Sequence, residues 1–367
     1  INDIFPVNVT GIVTARDGFV IDFDKITLRN RIVQFKNISI SDETIKEAYN
    51  LKDTREWKLS EARKALSKDN EWDVHFNKIQ YRPFDIRDIY YSTLMVDWGR
   101  TEYIRHLLEK NISICFMRQF SGNMDYTHFL VSKYMVDNRT FFSSKGIIQQ
   151  APLYLYNEKK QKKSHIQSLI LFEPETEYKT KTPNIDKVLY EKLNKTYKKK
   201  LTPEEILYYI YAVFYSNIYR TKYIEFLKID FPRVPFAADY NVFSKMAKLG
   251  NQLVDLHLME STLLGKPVSK YHGEGTERIG KVIYDEKENH LYINANKYFD
   301  NVTPEVWNYH IGGYQVLKKY LDERRKAGKE LENHKYFGGI ITALSMTIEL
   351  QKKIDEIFGI IEEDLIK

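Results

Sequence analysis

Apolar and polar positions alternate through the first forty residues at Ile12, Val13, Phe19, Val20, Ile21 and Phe23, with Gly11 and Asp17-Gly18 as turn punctuation. That pattern predicts short strands joined by a hairpin. Ser41-Asp42-Glu43 then marks a helix start, the two acids meeting the positive end of the helix dipole. A second helix is predicted from Thr54 to Leu66, with Trp57, Ala62, Ala65 and Leu66 near one face, and a short one from Thr101 to Lys110 with Ile104, Leu107 and Leu108 inward. Apolar runs at Ile112 to Met117, Phe129 to Val136 and Ile147 to Tyr156 have the length of strands. The N-terminal part, residues 1–160, therefore reads as a mixed lobe with sheet as its framework.

Further on the pattern changes. Glu158 to Lys163 and Lys195 to Lys200 are dominated by Lys and polar residues, with Glu173-Pro174-Glu175-Thr176-Glu177 between them, so residues 161–200 read as a boundary. Thr202-Pro203-Glu204-Glu205 is a strong helix start: Thr as cap, Pro at the first position, acids in the first turn. The stripe Ile206, Tyr209, Ile210, Val213 and Phe214 follows it. More helix is predicted at Ser216 to Lys228, Val242 to Glu260, Tyr314 to Arg325 and Tyr336 to Ile361, with one hairpin at Lys281 to Tyr284 and His290 to Asn294. The predicted class is α+β, a β-rich lobe over residues 1–160 followed by a mainly helical lobe over 201–367.

Composition narrows the function classes. The 367 residues are 43% hydrophobic and 29% charged, enough for at least one large core. A single cysteine, Cys115, rules out an intrachain disulfide and a cysteine-based zinc site. No run of about 18 apolar residues occurs, and Ile1 to Pro6 do not open a signal peptide, so a cytoplasmic location is expected. The net charge of +6 permits an anionic partner, and 27 Tyr offer stacking faces with polar rims. The start at Ile1 in place of Met leads to the expectation of a piece cut from a longer chain.

Catalytic motifs are sparse. Gly275-Thr276-Glu277-Arg278-Ile279-Gly280-Lys281-Val282 nearly matches a phosphate-binding loop, but Val282 replaces the hydroxyl residue that holds magnesium, and strand follows where helix should; a glycine-rich turn is the better account. Glu175 with Glu177-Tyr178-Lys179 is the nearest approach to nuclease chemistry, in a stretch that reads as a solvated loop. The nine histidines show no ligand spacing, so no metal site and no catalytic residue are assigned.

What recurs is Arg or Lys interleaved with aromatics and amides in stretches that read as loops. Tyr81-Arg82-Pro83-Phe84-Asp85-Ile86-Arg87, Asp97-Trp98-Gly99-Arg100, Arg118-Gln119, Ser143-Ser144-Lys145-Gly146 and Gln149-Gln150 supply charges for phosphates and forked donors for base edges. Arg16, Arg82, Arg87, Trp98, Arg100, Arg118, Gln119, Lys145 and Gln149 are the candidate DNA-binding residues. A structural account competes with this one, in which Asp85 pairs with Arg82 or Arg87 and Trp98 fills a core.

The same blocks carry a resemblance. Gly11-Ile12-Val13-Thr14-Ala15-Arg16-Asp17, the Tyr81 to Arg87 stretch, Ser144-Lys145-Gly146, Pro152-Leu153-Tyr154-Leu155-Tyr156, Lys181-Thr182-Pro183-Asn184, Asp230-Phe231-Pro232-Arg233-Val234-Pro235-Phe236 and Val306-Trp307-Asn308-Tyr309-His310-Ile311-Gly312-Gly313-Tyr314 resemble, in that order, the C-terminal region of type ISP restriction-modification enzymes. The resemblance implies a target recognition domain that follows a nuclease, an ATP-driven translocase and an adenine-specific methyltransferase in one polypeptide. Its implied partners are double-stranded DNA and the methyltransferase domain of the same chain. S-adenosylmethionine, ATP and Mg are implied for the parent enzyme, none of them in this fragment: no Pro-Pro pair of an adenine methyltransferase loop occurs here. A module coupling neighbouring domains and a stand-alone nuclease are the alternative functions.

Overall fold

The computed structural model describes residues 1–120, 125–141, 146–157 and 180–366. Two four-stranded sheets carry the N-terminal part. In the first, Ile21–Asp22, Asp85–Tyr90, Phe76–Arg82 and Met135–Val136 lie side by side in that order. Helices Lys25–Lys36, Asp42–Tyr49 and Leu59–Lys68 belong to this lobe, where Leu28, Ile32, Phe35, Leu59 and Leu66 join Ile79 and Ile89 in one buried core.

The expected strands of the first forty residues are largely corrected. Asp17–Val20 is a single helical turn and Lys25–Lys36 a three-turn helix, leaving as strands only Val9–Thr10 and Ile21–Asp22, the latter paired with Ile89 and Asp88. The helix wins because Asp24 caps it through the Thr27 N–H at 2.7 Å, and Leu28, Ile32 and Phe35 fall at i, i+4 and i+7 on one buried face. Ser41 caps the next helix as expected, by accepting from Thr44 N.

The second sheet has the order Val9–Thr10, Ile148–Pro152, Ser113–Met117, Leu130–Ser132, antiparallel throughout. The chain from Val9 to Val13 stitches the two sheets. Val9 and Thr10 pair with Gln150 and Gln149, Gly11 N donates to Ile148 O, and Ile12 and Val13 bridge to Asp137 and Trp98. A Cβ on Gly11 would stand 2.8 Å from the Asn138 Cα, so the crossing requires glycine.

Packing cuts across the 161–200 segment. The second sheet shares the larger core with the C-terminal helices, Phe129 stacking on Phe214 at 4.1 Å between ring centres. Within 161–200, Thr180–Pro183 pairs with Tyr154–Asn157, and Lys187–Tyr197 is a helix capped by Asp186. The predicted start at Thr202 is a full capping box with Glu205, and the helix it opens, Pro203–Tyr215, is buried along almost its whole length against Tyr240–His257. The final helix, His334–Glu363, covers both. The expected hairpin grows into a four-stranded sheet ordered Tyr271–His272, Tyr298–Phe299, His290–Tyr292, Ile283–Asp285. Sheets concentrated in the N-terminal part and a helical C-terminal end make the fold α+β. Among the described residues no helix is long and apolar enough to cross a membrane.

Candidate nucleic-acid interface

Three of the nominated arginines turn inward. Arg16 donates to the Thr14 and Met95 carbonyls, each at 3.1 Å, and to Asp97 Oδ1 at 2.8 Å, while its guanidinium lies 3.9 Å from the centre of the Trp57 ring. Arg82 pairs with Asp137 at 2.7 Å and lies over Tyr81 at 3.9 Å. Arg87 pairs with Asp85 at 2.6 Å and Glu323 at 3.1 Å, sandwiched by Phe23 and Tyr81. All three are buried and paired with a carboxylate, although Arg16 Nε and Arg82 Nε have no acceptor among the described residues; this arrangement speaks for a scaffold role, because extracting one would strand a buried carboxylate. Asp85 does pair with Arg87, and it also binds Arg324 at 3.1 Å, which ties the first sheet to helix Val316–Lys326.

The remaining candidates face solvent. Trp98 does not fill a core: it is 52% exposed, on a backbone pinned by two hydrogen bonds with Val13. Arg100, at φ 55°, sits just before the turn of helix Thr101–Ile104 and holds its guanidinium 5.4 Å from the Trp98 ring centre. Arg118 and Gln119 are exposed immediately after Ser113–Met117. The Met117–Ile148 pairing sets them beside Gly146, where φ is 85° and a Cβ would stand 2.4 Å from Gln119 O. Gln149, half-buried, pairs with Phe116 and Thr10 in the same sheet. Arg118 meets Asp230 at 3.3 Å, but both side chains are more than half exposed, and such a pair is worth at most about 1 kcal/mol and exchanges readily for a phosphate. Lys145 lies outside the described residues.

Thus Arg118, Gln119 and Gln149 are gathered at one end of the second sheet, and Trp98 with Arg100 form a second group. The strand that joins Thr10 to Val13 links the two over at most roughly 10 Å of extended backbone. Two contributors went unnominated. Arg139 is exposed in the turn after Met135–Val136, and the Asn308 to Tyr314 turn of the helical part docks on the same end. Gly312 N donates to Thr127 O at 3.0 Å, and the Tyr314 hydroxyl to Arg139 O at 3.3 Å. The Gly312-Gly313 pair, both at positive φ, marks the turn in the sequence; nothing local marks where it docks.

Other chemistry recedes. Cys115 is buried, and burial pushes its thiol far above the ordinary range. Gly275–Val282 leads into strand Ile283–Asp285, with Gly280 N bonded to Ile293 O, as a turn does and a phosphate-cradling helix start does not. Among the described residues no three His, Cys, Asp or Glu converge on a metal position. The Glu175, Glu177 and Lys179 motif lies outside the described residues.

A chain that spends some arginines on its own scaffold and shows others, with amides and an aromatic ring, on loops around one sheet end has the make-up of a macromolecular recognition module. Residues 3–349 match the Type ISP C-terminal specificity domain, and the chain belongs to that family. No curated protein matches the sequence. Among solved structures the fold is similar to the ATP-dependent Type ISP restriction-modification enzyme LlaBIII bound to DNA, at 20% identity and a TM-score of 0.70, over 96% of this chain and 23% of that one. It is also similar to a nuclease-deletion mutant of the Type ISP enzyme LlaGI in complex with a DNA substrate mimic (19%, 0.66, 96% and 33%), and to the DrdV–DNA complex (17%, 0.67, 97% and 36%). The chain spans about a quarter to a third of those proteins.

Proposed function

We propose that this chain is the target recognition module of a restriction-modification enzyme, which reads a double-stranded DNA sequence and directs adenine methylation and ATP-dependent restriction carried out by other parts of a longer polypeptide. The match to the specificity-domain family over residues 3–349 carries this reading. In it, Arg100, Arg118 and Arg139 engage phosphates, while Gln119 and Gln149 offer paired donor and acceptor groups to base edges. S-adenosylmethionine, ATP and Mg belong, in this proposal, to the methyltransferase and motor that the module serves.

Selection of duplexes from a random library, followed by anisotropy titration across a salt series, tests the assignment. The expected result is an enriched sequence whose affinity falls log-linearly with salt. No enrichment and no salt slope would refute it. One observation supports a coupling role alongside: Phe226 and Ile229, each 69% exposed, flank a groove lined by Tyr219, Phe231 and Pro232. Phe226→Asp should leave DNA affinity intact while weakening docking of neighbouring domains in the full-length enzyme.

A further inference from the structure

Five arginines are buried in the described structure, and four of them reach a carboxylate: Arg16 to Asp97, Arg63 to Asp42, Arg82 to Asp137 and Arg87 to Asp85. Arg220 is the exception. It is 6% exposed, its Nε donates to Phe214 O at 2.6 Å, and its guanidinium lies 4.5 Å from the Tyr215 ring centre, yet among the described residues no carboxylate pairs with it. A buried cation without a counter-charge is costly, so the fold holds a positive charge whose natural complement comes from outside.

Arg220 lines a cleft of about 480 Å³. On its wall stands Thr127, whose Oγ1 is buried and has no hydrogen-bond partner. Asn217, Asn308 and His310 add polar lining. Arg220 meets the Tyr215 and Tyr309 hydroxyls but no carboxylate, and the Thr127 hydroxyl meets nothing among the described residues; a cation without a counter-charge and a free hydroxyl in one cleft call for the same ligand chemistry, an oxyanion that accepts from both. The rim narrows the choice, because Asp125 and Glu305 repel a dianion or polyphosphate more than a singly charged group. The cleft also adjoins the reading loops: Gly312, two residues past His310, is bonded to the Thr127 carbonyl, and Tyr314 to Arg139.

We propose that this cleft seats one phosphodiester group of the DNA backbone, held by Arg220 and Thr127, so that the helical part of the chain fixes the register of the duplex on the reading loops. This rests on the DNA-reading function proposed above. Arg220 then acts from beneath the interface, where no exposed basic patch would have drawn attention to it.

The test uses the full chain and a duplex that the wild type binds. Thr127→Val keeps the side-chain shape and removes a hydroxyl that has no partner in the free protein, so its stability should be unchanged. Its affinity should fall on the order of tenfold, equally for cognate and non-cognate duplexes, as expected for a lost bond to a charged group. Arg220→Gln, where it folds, should lower the salt slope by about 1; where it does not fold, Thr127→Val decides. Wild-type affinity and slope in the folded variants would overturn the phosphate seat while leaving DNA reading in place. A wild type that binds no duplex in a salt-dependent way overturns both. Inorganic phosphate and ATP, titrated at constant ionic strength, separate the sources. Thr127-dependent thermal protection by either one, without loss of duplex affinity in the variant, would reassign the cleft to a free phosphate compound.

Discussion

Arg82→Ala separates a scaffold arginine from a reading one. In the folded chain the Arg82 side chain is 9% exposed and that of Asp137 is 3%, joined at 2.7 Å, with a second Arg82 bond to the Tyr81 carbonyl at 2.5 Å. Truncation leaves the Asp137 carboxylate buried, accepting from the Arg139 N–H at 3.0 Å but without its cation, and removing one partner of such a pair costs about 3–5 kcal/mol. Burial already pushes the Asp137 carboxyl above its ordinary range, with Arg82 pulling it back, so the variant should push it further up. A carboxyl raised in the folded state adds stability below its unfolded value of 3.8 and loses it as pH rises through the folded value. The stability deficit of Arg82→Ala should therefore be smallest near pH 4 and grow toward neutrality. Urea unfolding at several pH values measures this, alongside a DNA salt slope that should not change. Arg100→Ala is the mirror case, with stability within about 0.5 kcal/mol and a slope lower by about 1. An Arg82→Ala chain that is as stable as the wild type but has lost a unit of slope would refute the division of these arginines.

Three further outcomes follow from the packing. His257 is buried with Nδ1 2.6 Å from the Tyr211 hydroxyl and Nε2 2.9 Å from Thr347 Oγ1, and burial pushes its pKa down to about 3. The unfolded chain takes up this proton below about 6.5 and the folded chain does not, so stability should fall by up to about 1.4 kcal/mol per pH unit as pH drops from 6.5 toward 3; His257→Gln should lose that component, and an unaltered acid profile would contradict it. Gly250→Ala would put a Cβ 1.8 Å from Tyr208 O where two helices touch, an overpacking worth at least about 1–3 kcal/mol by denaturant titration, whereas Gly359→Ala, with nothing within 4 Å, should stabilise by up to about 1 kcal/mol. Cys115 should react with an aromatic disulfide reagent only as fast as the chain opens, and rapid native labelling would disprove its burial.

Local signals carried the helical half of the fold. Thr202, Pro203 and Glu205 are close in sequence and meet in one capping box, and the stripe behind them is buried as its spacing predicts. Residues 19–23 misled because so short an apolar stretch fits a strand or a turn equally well, and the deciding residues, Asp24 and the Leu28, Ile32, Phe35 face, come after them. The candidate site was legible to a different depth. Sequence marked loops rich in Arg and amides, but whether such an arginine faces out depends on partners far along the chain. Arg82 finds Asp137 55 residues away, Arg16 finds Asp97 81 away, and Arg87 finds Glu323 236 away. Arg100 stands in a similar local context and, among the described residues, rests its guanidinium against the Trp98 ring with no carboxylate paired to it.

That sorting changes the electrostatics expected of the module. A net charge of +6 suggests a diffuse attraction to DNA, yet much of the nominated positive charge is cancelled inside the protein by Asp97, Asp137, Asp85 and Glu323. Of the residues proposed above to meet phosphates, Arg100, Arg118 and Arg139 are exposed and Arg220 lines the adjoining cleft. Each neutralised phosphate contributes about 0.9 to the slope of log affinity against log salt, so four contacts predict a slope of roughly −3 to −4, and Lys145 would add at most about one more. Such a reader holds DNA weakly by charge alone and owes more of its discrimination to base contacts, placed by a scaffold whose ion pairs, Asp85 to Arg324 among them, keep the two parts of the chain in register. A measured slope steeper than about −6 would mean that the internal pairs open on binding, and the buried arginines would have to be counted as phosphate ligands after all.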